Sequence, residues 1–341
     1  MGESRIIAIA NRNNLGKHTT DIQKALEDRL GAEVIITESV EETQDKMPDE
    51  FSDLIAVGGD GTINSVYNAG IKKNKEFLFG VVPFGNGNDF AASMGFQSLK
   101  QLYTRQEQRR HEALVRSLKH IAWTINNPDK RGFIYDIDVG QFTINYQEVN
   151  HFLSYIGTGL LANTAEKLNK QTKGKKRYSL AAAKELGKQK LKTNKTYANI
   201  SYGRKPGEII INLNHTKPEE INSQSRRFTS FEIMNNLQFG GGMVYNPKGD
   251  MNDGFFEAIG IYEVGLIGGL LGLNKVAKGS DFHLKDDRFG FDRQIVKATI
   301  KTDKDITIHF DGETTIQEQY QDLEVTVGHK QKIITGRYFH R

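Results

Sequence analysis

Cysteine is absent from this chain, so neither a disulfide framework nor a thiolate metal site can be built, and the protein reads as intracellular. The amino terminus, MGESRIIAIA, lacks the layout of a signal peptide and enters a strand directly. Its Met-Gly opening lacks the Ser or Thr that a myristoylation motif wants at position six, where Ile6 stands. No apolar run approaches the roughly 20 residues of a membrane span. Without a secretory signal, the N-x-[ST] sequons at Asn194, Asn199 and Asn214 read as chance matches. Neither sign of charge dominates: 46 Lys and Arg against 42 Asp and Glu leave a formal +4, which suits anionic membranes or nucleotides and demonstrates neither. A length of 341 residues is ample for two domains of ordinary size.

What is present is organised around two glycine-rich stretches, Leu54 to Asn64 (LIAVGGDGTIN) and Leu78 to Ala91 (LFGVVPFGNGNDFA). Each starts as an apolar run that suits a buried parallel strand, breaks into glycines and turns polar and helix-like, the order of elements in phosphate sites. Between them Ile63, Val66, Tyr67 and Ile71 recur at helical spacing, which makes one βαβ unit. Both loops then open on the same sheet edge, outside the carboxyl ends of the strands. Gly58, Gly59 and Gly61 let backbone N–H groups come close to a phosphate, but the P-loop lysine is missing and Asp60 stands in the loop instead. A carboxylate against phosphates is repelled unless a cation or a proton lies between them, so Asp60 is expected to organise Mg²⁺ rather than touch a nucleotide. Taken alone, the Asp-Gly dipeptide is equally an ordinary turn.

GGDGTIN at Gly58 to Asn64, followed by P-x-G-x-x-NDFA at Pro83 to Ala91, resembles the diacylglycerol kinase catalytic superfamily, which includes bacterial lipid kinases and the sphingosine and ceramide kinases. Segments at Phe152 to Ala162, Phe239 to Ile261 and Ile308 to Glu313 (IHFDGE) fit the same pattern in order. GGDGT alone is shared with NAD kinases and is close to a phosphofructokinase motif, whereas NDFA and the terminal DGE point to the lipid branch. The resemblance implies ATP and Mg²⁺, with the nucleotide held by Asn11, Thr37, Gly58, Gly59, Asp60, Gly61, Thr62, Asn64, Gly85, Asn86, Asn88 and Asp89. The loop after the first strand departs from it: Asn11 matches, but Arg12 stands in a proline position and Leu15 in a glycine position, with Gly16 or Lys17 as partial substitutes. Thr37 reads equally as a capping threonine, and Asn86 stands where threonine is usual. Asn88 is placed to cap the next helix, with Asp89 pointing into the cleft.

The fold class expected is α/β in two domains. Residues 1–128 form an open α/β nucleotide-binding domain of the NAD kinase and phosphofructokinase kind, completed by part of the C-terminal tail, about 315–341. Its first strand runs from Arg5 to Ala10, a helix from about Thr19 to Leu30, a second strand from Val34 to Thr37 and a charged helix from Tyr103 to Lys119. From about Arg131 short alternating segments read as antiparallel strands, so residues 129–314 form a β-rich, sandwich-like domain that takes the lipid substrate. Helices are expected there at about Leu160 to Asn169 and Tyr178 to Leu191. A basic run from Lys167 to Lys192 reads as a solvated face or as a surface docked on an anionic bilayer, where each basic residue contributes about 1 kcal/mol. Ile209 to Arg227 reads as a long hairpin connection or insertion. Val264 to Leu273 is a buried core helix or an interfacial segment.

Phe239 to Phe255 crowds glycines and two aspartates into one loop, and hard cations want such oxygen donors. The resemblance implies a structural Mg²⁺ there, held by Asp253 with the carbonyls at the positions of Asp250 and Phe255. Phosphoryl transfer to a hydroxyl needs positioned phosphates, a metal ion across them and a carboxylate at the acceptor. Gly58 to Thr62 would hold phosphates, Asp60 and Asp89 would arrange metal and water, and Asp311 with Glu313 would supply the base. Which of that pair acts is undecided, and Asp311-Gly312 reads equally as a hairpin turn. The expectation is a cytoplasmic, peripherally membrane-associated lipid kinase, acting first on diacylglycerol and next on a long-chain base or ceramide. It has no nucleic-acid partner, and a homodimer stays open. Two rivals remain: an NAD kinase acting on a soluble dinucleotide, and a catalytically silent lipid- or nucleotide-binding protein. Retention of Asp60, Asp89, Asp311 and Glu313 speaks against the second.

Overall fold

The computed structural model describes residues 5–74, 76–85, 87–96, 107–127, 133–168, 181, 184, 197–214, 226–240, 242–262, 275, 290–303, 305–317 and 322–336. They fall into two units, the first made of residues 1–137 and 330–341 and the second of 138–329. From sequence the corresponding divisions were 128/129 and 314/315.

In the first unit four short apolar runs become parallel strands: β1 (Ile6–Asn11), β2 (Glu33–Thr37), β3 (Asp53–Gly58) and β4 (Leu78–Pro83). Their order is β4-β3-β1-β2, and every residue of β3 is buried, as a strand covered on both faces requires. Helices connect and cover them: α1 (Arg12–Leu15), α2 (Thr19–Leu30), α3 (Val40–Asp45), α4 (Asp60–Lys73), α5 (Asp89–Ser93) and α6 (Glu107–Asn126). Ile22, Leu26 and Leu30 give α2 its buried stripe, and it ends at Gly31 in the left-handed region, whose N–H caps Glu27 O. The second glycine stretch thus follows the first through α4, whose residues from Ile63 to Ile71 are all buried, Asn64, Ser65 and Asn68 included. The end of the chain returns to this unit. Ile333 pairs in parallel with Phe79, Gln331 Nε2 donates to Phe77 O (2.6 Å), and the Gly336 N–H donates to Met94 O (2.8 Å).

The second unit is built mainly of strands: β5 (Ile134–Ile144), β6 (Asn150–Phe152), β7 (Tyr155–Gly159), β8 (Tyr197–Tyr202), β9 (Glu208–Asn214) and β10 (Arg226–Met234). They continue with β11 (Gln238–Phe239), β12 (Met243–Val244), β13 (Phe256–Tyr262), β14 (Gly290–Ile295), β15 (Lys297–Thr302), β16 (Ile306–Phe310), β17 (Glu313–Gln317) and β18 (Asp322–Ile334). One helix, α7 (Leu160–Leu168), follows β7. Strands β17-β16-β7-β10-β13-β14 pair antiparallel in that order, and β8-β9-β15-β18-β5-β6 pair in another series. Alternate residues of both series meet in one core: Ile156, Phe231, Ile233, Phe256 and Ile308 from the first, with Phe152, Ile209, Ile211, Ala298, Ile300, Leu323 and Val325 from the second. The opposite face of the β7–β10–β13 layer is buried as well, under Leu161 and Ala165 of α7 and the Phe239–Tyr245 segment.

One expectation is corrected. Residues 208–214 are not a loose connection but strand β9, because Ile209, Ile211 and Leu213 alternate into the core while Ile210 and Asn212 between them face the other way. The expected helix at Tyr178 to Leu191, the basic run beyond Lys167, the Val264 to Leu273 segment and the link at 128–130 lie outside the described residues, apart from single helical positions. Among the described residues no helix is long and apolar enough to cross a membrane.

Candidate functional site

In the first unit β3 runs out at Gly58, Gly59 precedes α4, and β4 runs out at Pro83, so both loops leave the same ends of adjacent parallel strands. The Phe84 N–H donates to Gly58 O (2.7 Å). A Cβ on Gly59 would lie 3.0 Å from Gly85 Cα, and one on Gly85 would collide with Gly59 Cα. The loops therefore touch backbone to backbone, which a side chain at Gly85 would block and one at Gly59 would crowd. Asp60 ties them further: its Oδ1 accepts the Phe90 N–H (3.0 Å) at the start of α5. The first N–H groups of α4, at Asp60 to Thr62, have no acceptor within the helix and stand at its positive end.

Several expected residues are placed differently from their expected roles. Asn88 has φ 57° and does not cap α5; its Oδ1 accepts the Gly85 N–H (2.8 Å) and its Nδ2 donates to Gly85 O (2.9 Å), so it closes the second loop on itself. The side chain is spent on a four-residue turn, which the left-handed backbone allows Asn to make. Asp89 is buried in the first turn of α5. Thr37 is fully buried, its hydroxyl 3.0 Å from that of Thr43, while Ser39 Oγ caps α3 by accepting the Glu42 N–H. Asn64 is buried and its Oδ1 accepts from Asn68 Nδ2 (3.1 Å). Gly61 and Thr62 are half-buried, and Asn86 lies outside the described residues.

The departure in the first loop has a structural explanation. Asn11 Oδ1 accepts the Asn14 N–H (3.3 Å) and starts a helical turn, Leu15 buries into the core, and Asn14 Nδ2 donates to Thr62 Oγ1 (2.8 Å). A side chain thereby reaches the GGDGT loop where a glycine backbone was expected. Asn14 was missed from sequence, though its place beside the one matching residue of that motif was a usable signal.

In the second unit the plain-turn reading of Asp311-Gly312 is geometrically correct: φ is 43° and 88°, and Phe310 pairs with Glu313 across a two-residue hairpin. The Asp311 carboxylate is nonetheless committed. It accepts the N–H groups of Leu153 (2.6 Å), Ser154 (2.8 Å) and Tyr155 (3.1 Å) and is buried. Glu313, first residue of β17, is half-buried, and among the described residues its carboxylate has no hydrogen-bond partner. The expected pair thus divides into an anchored carboxylate and an available one.

Asp250 and Asp253 each form a short turn, accepting the N–H of Asn252 (3.0 Å) and of Phe255 (2.9 Å), and Asp253 Oδ2 also accepts from Gln294 Nε2 (3.1 Å). Asp138 joins them: its Oδ2 accepts the Gly254 N–H (2.8 Å), and its own N–H donates to Met251 O (2.6 Å). Burial raises the pKa of Asp253, and the charges of Asp250 and Asp138 add to the rise. An excess of carboxylate charge among turn carbonyls is donor chemistry that fits a hard cation. Among the described residues no three His, Cys, Asp or Glu side chains converge as a metal site, so carbonyls would have to complete the set. Asp138 went unnoticed in sequence, because the alternation that buries Ile137 and Val139 puts Asp138 on the opposite face, where a polar residue needs no explanation.

Residues 6–117 match the family model of the diacylglycerol kinase catalytic domain. A Klebsiella pneumoniae protein named "Probable lipid kinase YegS-like" is 48% identical over 42 residues, 12% of this chain and 14% of that protein. A Bacillus subtilis protein named diacylglycerol kinase is 48% identical over 46 residues, 14% of this chain and 15% of that one. The chain therefore spans a small part of the length of both relatives in these matches. A solved structure named as a diacylglycerol kinase of Bacillus anthracis str. Sterne is similar over 98% of each chain, with TM-score 0.61 and 14% identity, which shows a shared fold. Over residues 6–117 the chain is therefore similar to the diacylglycerol kinase catalytic domain.

Proposed function

We propose that the protein is a lipid kinase that passes the γ-phosphoryl group of ATP to a lipid hydroxyl, with diacylglycerol the leading acceptor and a long-chain base or ceramide next. The observation that carries this is the backbone contact of Gly59 with Gly85 at the amino end of α4, locked by Asp60 on Phe90 N–H. A triphosphate needs several N–H donors and a positive helix end in one place, with no side chain in the way.

Asp60 and Asp89 are the residues that would hold a divalent cation in the first unit, and Asp253, with the carbonyls at Asp250 and Phe255, in the second. When bound, Mg²⁺ neutralises charge on the phosphate oxygens. The carboxylate chemistry follows from what is already spent. Asp311 has three backbone N–H groups on its oxygens, so it positions the hairpin, and Glu313 is the base that takes the acceptor's proton as the bond to phosphorus forms. A lipid acceptor implies work at a membrane surface.

The test is transfer of labelled γ-phosphate from Mg-ATP into mixed-micelle diacylglycerol, sphingosine and ceramide, with NAD alongside, for the protein and its Asp60→Ala and Glu313→Gln variants. Label is expected in a lipid and reduced about 10² to 10⁴-fold in Glu313→Gln. Label in NAD alone overturns the acceptor class. No label anywhere, with folded protein, favours the silent binding reading.

A further inference from the structure

One cross-strand row of the second unit reads His309 on β16, Gly157 on β7 and Glu232 on β10. The glycine has no side chain, so the two flanking ones meet over it. His309 Nε2 lies 2.7 Å from Glu232 Oε2, and a Cβ on Gly157 would collide with that oxygen. Glu232 Oε1 accepts the Ser230 hydroxyl (3.0 Å), and both members of the pair are completely buried. The other ring nitrogen, His309 Nδ1, is buried and has no hydrogen-bond partner among the described residues. Polar atoms so deeply buried are normally paired, and those left over mark a missing water or ligand.

The surroundings are aromatic. The rings of Tyr155 and Phe239 each stand 5.3 Å from the imidazole, centroid to centroid, in a cluster with Leu161, Met234 and Ile259. Part of the cover is slight: the ribbon β11–β12 has two residues per strand, Gly240 and Gly242 near it have positive φ, and a Cβ on Gly242 would meet nothing within 4 Å. In sequence the imidazole lies two residues before Asp311, which stands in the turn that ends β16.

We propose that His309 Nδ1 accepts a hydrogen bond from a hydroxyl of the bound lipid headgroup, so that the site favours acceptors carrying a hydroxyl beyond the one that is phosphorylated and ranks a long-chain base or ceramide above diacylglycerol, which has none to spare. This rests on the lipid-kinase reading. In the tautomer that turns Nε2–H to Glu232 Oε2, Nδ1 presents a bare lone pair, which a hydroxyl satisfies and an ester cannot. The aromatic wall accepts the apolar remainder of the same group. Glu232 is a positioning residue that fixes the tautomer.

Two measurements test it. Ring ¹⁵N resonances of the wild-type protein, assigned through the backbone, are followed as micellar 1-monooleoylglycerol or 1,2-dioleoylglycerol is added. The Nδ1 signal of His309 is expected to move with the first lipid and not the second. The ratio of kcat/KM for the two lipids is then compared between wild type and His309→Gln; it should fall about tenfold in the variant, the effect of one hydrogen bond, with KM for ATP unchanged. An Nδ1 signal indifferent to both lipids, or an unchanged ratio, overturns the assignment while leaving the kinase reading intact. Movement of Nδ1 without phosphorylation of either lipid supports the site and overturns the kinase reading. If His309→Gln does not fold, the wild-type titration decides alone.

Discussion

The glycine loops of the first unit are neighbours in sequence, separated by the single helix α4, and what holds them together is the lack of side chains at Gly59 and Gly85. In the second unit Asp311 is held by backbone N–H groups 156 to 158 positions earlier, and His309 meets a carboxylate 77 positions earlier over an unrelated glycine. A local device leaves a motif; a device assembled from distant strands leaves single residues whose meaning depends on register. The first kind should fail by misplacing a ligand and the second by unfolding the scaffold.

Gly157→Ala is the sharpest test of that difference. Its Cβ must displace both a buried carboxylate oxygen and, at 2.5 Å, the Phe231 carbonyl on the next strand, and backbone cannot yield as a flexible side chain can. Overpacking a buried site costs about 1–3 kcal/mol, and disturbing a buried charged pair adds to it, so a loss of about 3 kcal/mol or more is expected in denaturant unfolding. A loss under 1 kcal/mol would mean the row is looser than its geometry. Gly85→Ala should behave oppositely. The loops would have to part by about 1 Å while the parallel sheet beneath them stays packed, so nucleotide affinity or turnover should drop about 10²-fold with little change in unfolding. Equal damage to stability and activity would erase the contrast.

The same contrast explains what could be read in advance. The strands of the first unit, the bounds of α2, the two loops and their shared edge followed from continuous apolar runs broken by glycine, because each signal is local. Thr37 and Asn88 were placed by motif at the loops, but their side chains go to Thr43 and Gly85, which no spacing rule specifies. The commitment of Asp311 to residues 153–155, the approach of Asp138 to the Asp253 turn and the Glu232–His309 row depend on which antiparallel strands lie side by side. Sequence reasoning found strands there without their order, so it found the residues of the DGE segment without their division of labour.

Glu257 gives a test of intermediate size in the second unit. It is buried, accepts from Asn246 Nδ2 (2.8 Å), and its pKa is pushed up to about 7, chiefly by desolvation and further by Asp253 and Asp292. The folded state therefore binds a proton more tightly than the unfolded chain, whose carboxyl titrates near 4.5. Stability from this group is fully present below about pH 4.5 and is lost as pH rises toward and through 7. In the presence of a chelator, Glu257→Gln keeps an acceptor for Asn246 and removes the charge, so it should raise stability at pH 8 by about 2 kcal/mol and change little at pH 4. A variant less stable than wild type at pH 8 would show that the charge is compensated by groups outside this pair.

The smallest effect belongs to the first unit and concerns the loop that departs from the diacylglycerol kinase pattern. Asn14 and Thr62 are linked side chain to side chain at 2.8 Å, partly buried. If Asn14 stands in for the missing glycine backbone, its work is to hold Thr62, and through it the first turn of α4, in place. Asn14→Ala should then cost about 1 kcal/mol of stability and a comparable factor, roughly fivefold, in nucleotide affinity. Thr62→Val should cost about the same, and the double variant no more than either alone, because both remove one hydrogen bond. Additive losses in the double variant would mean that Asn14 and Thr62 act on separate partners. The first loop would then have lost its connection to the glycine pair, and α4 alone would carry the phosphate-binding role of that side.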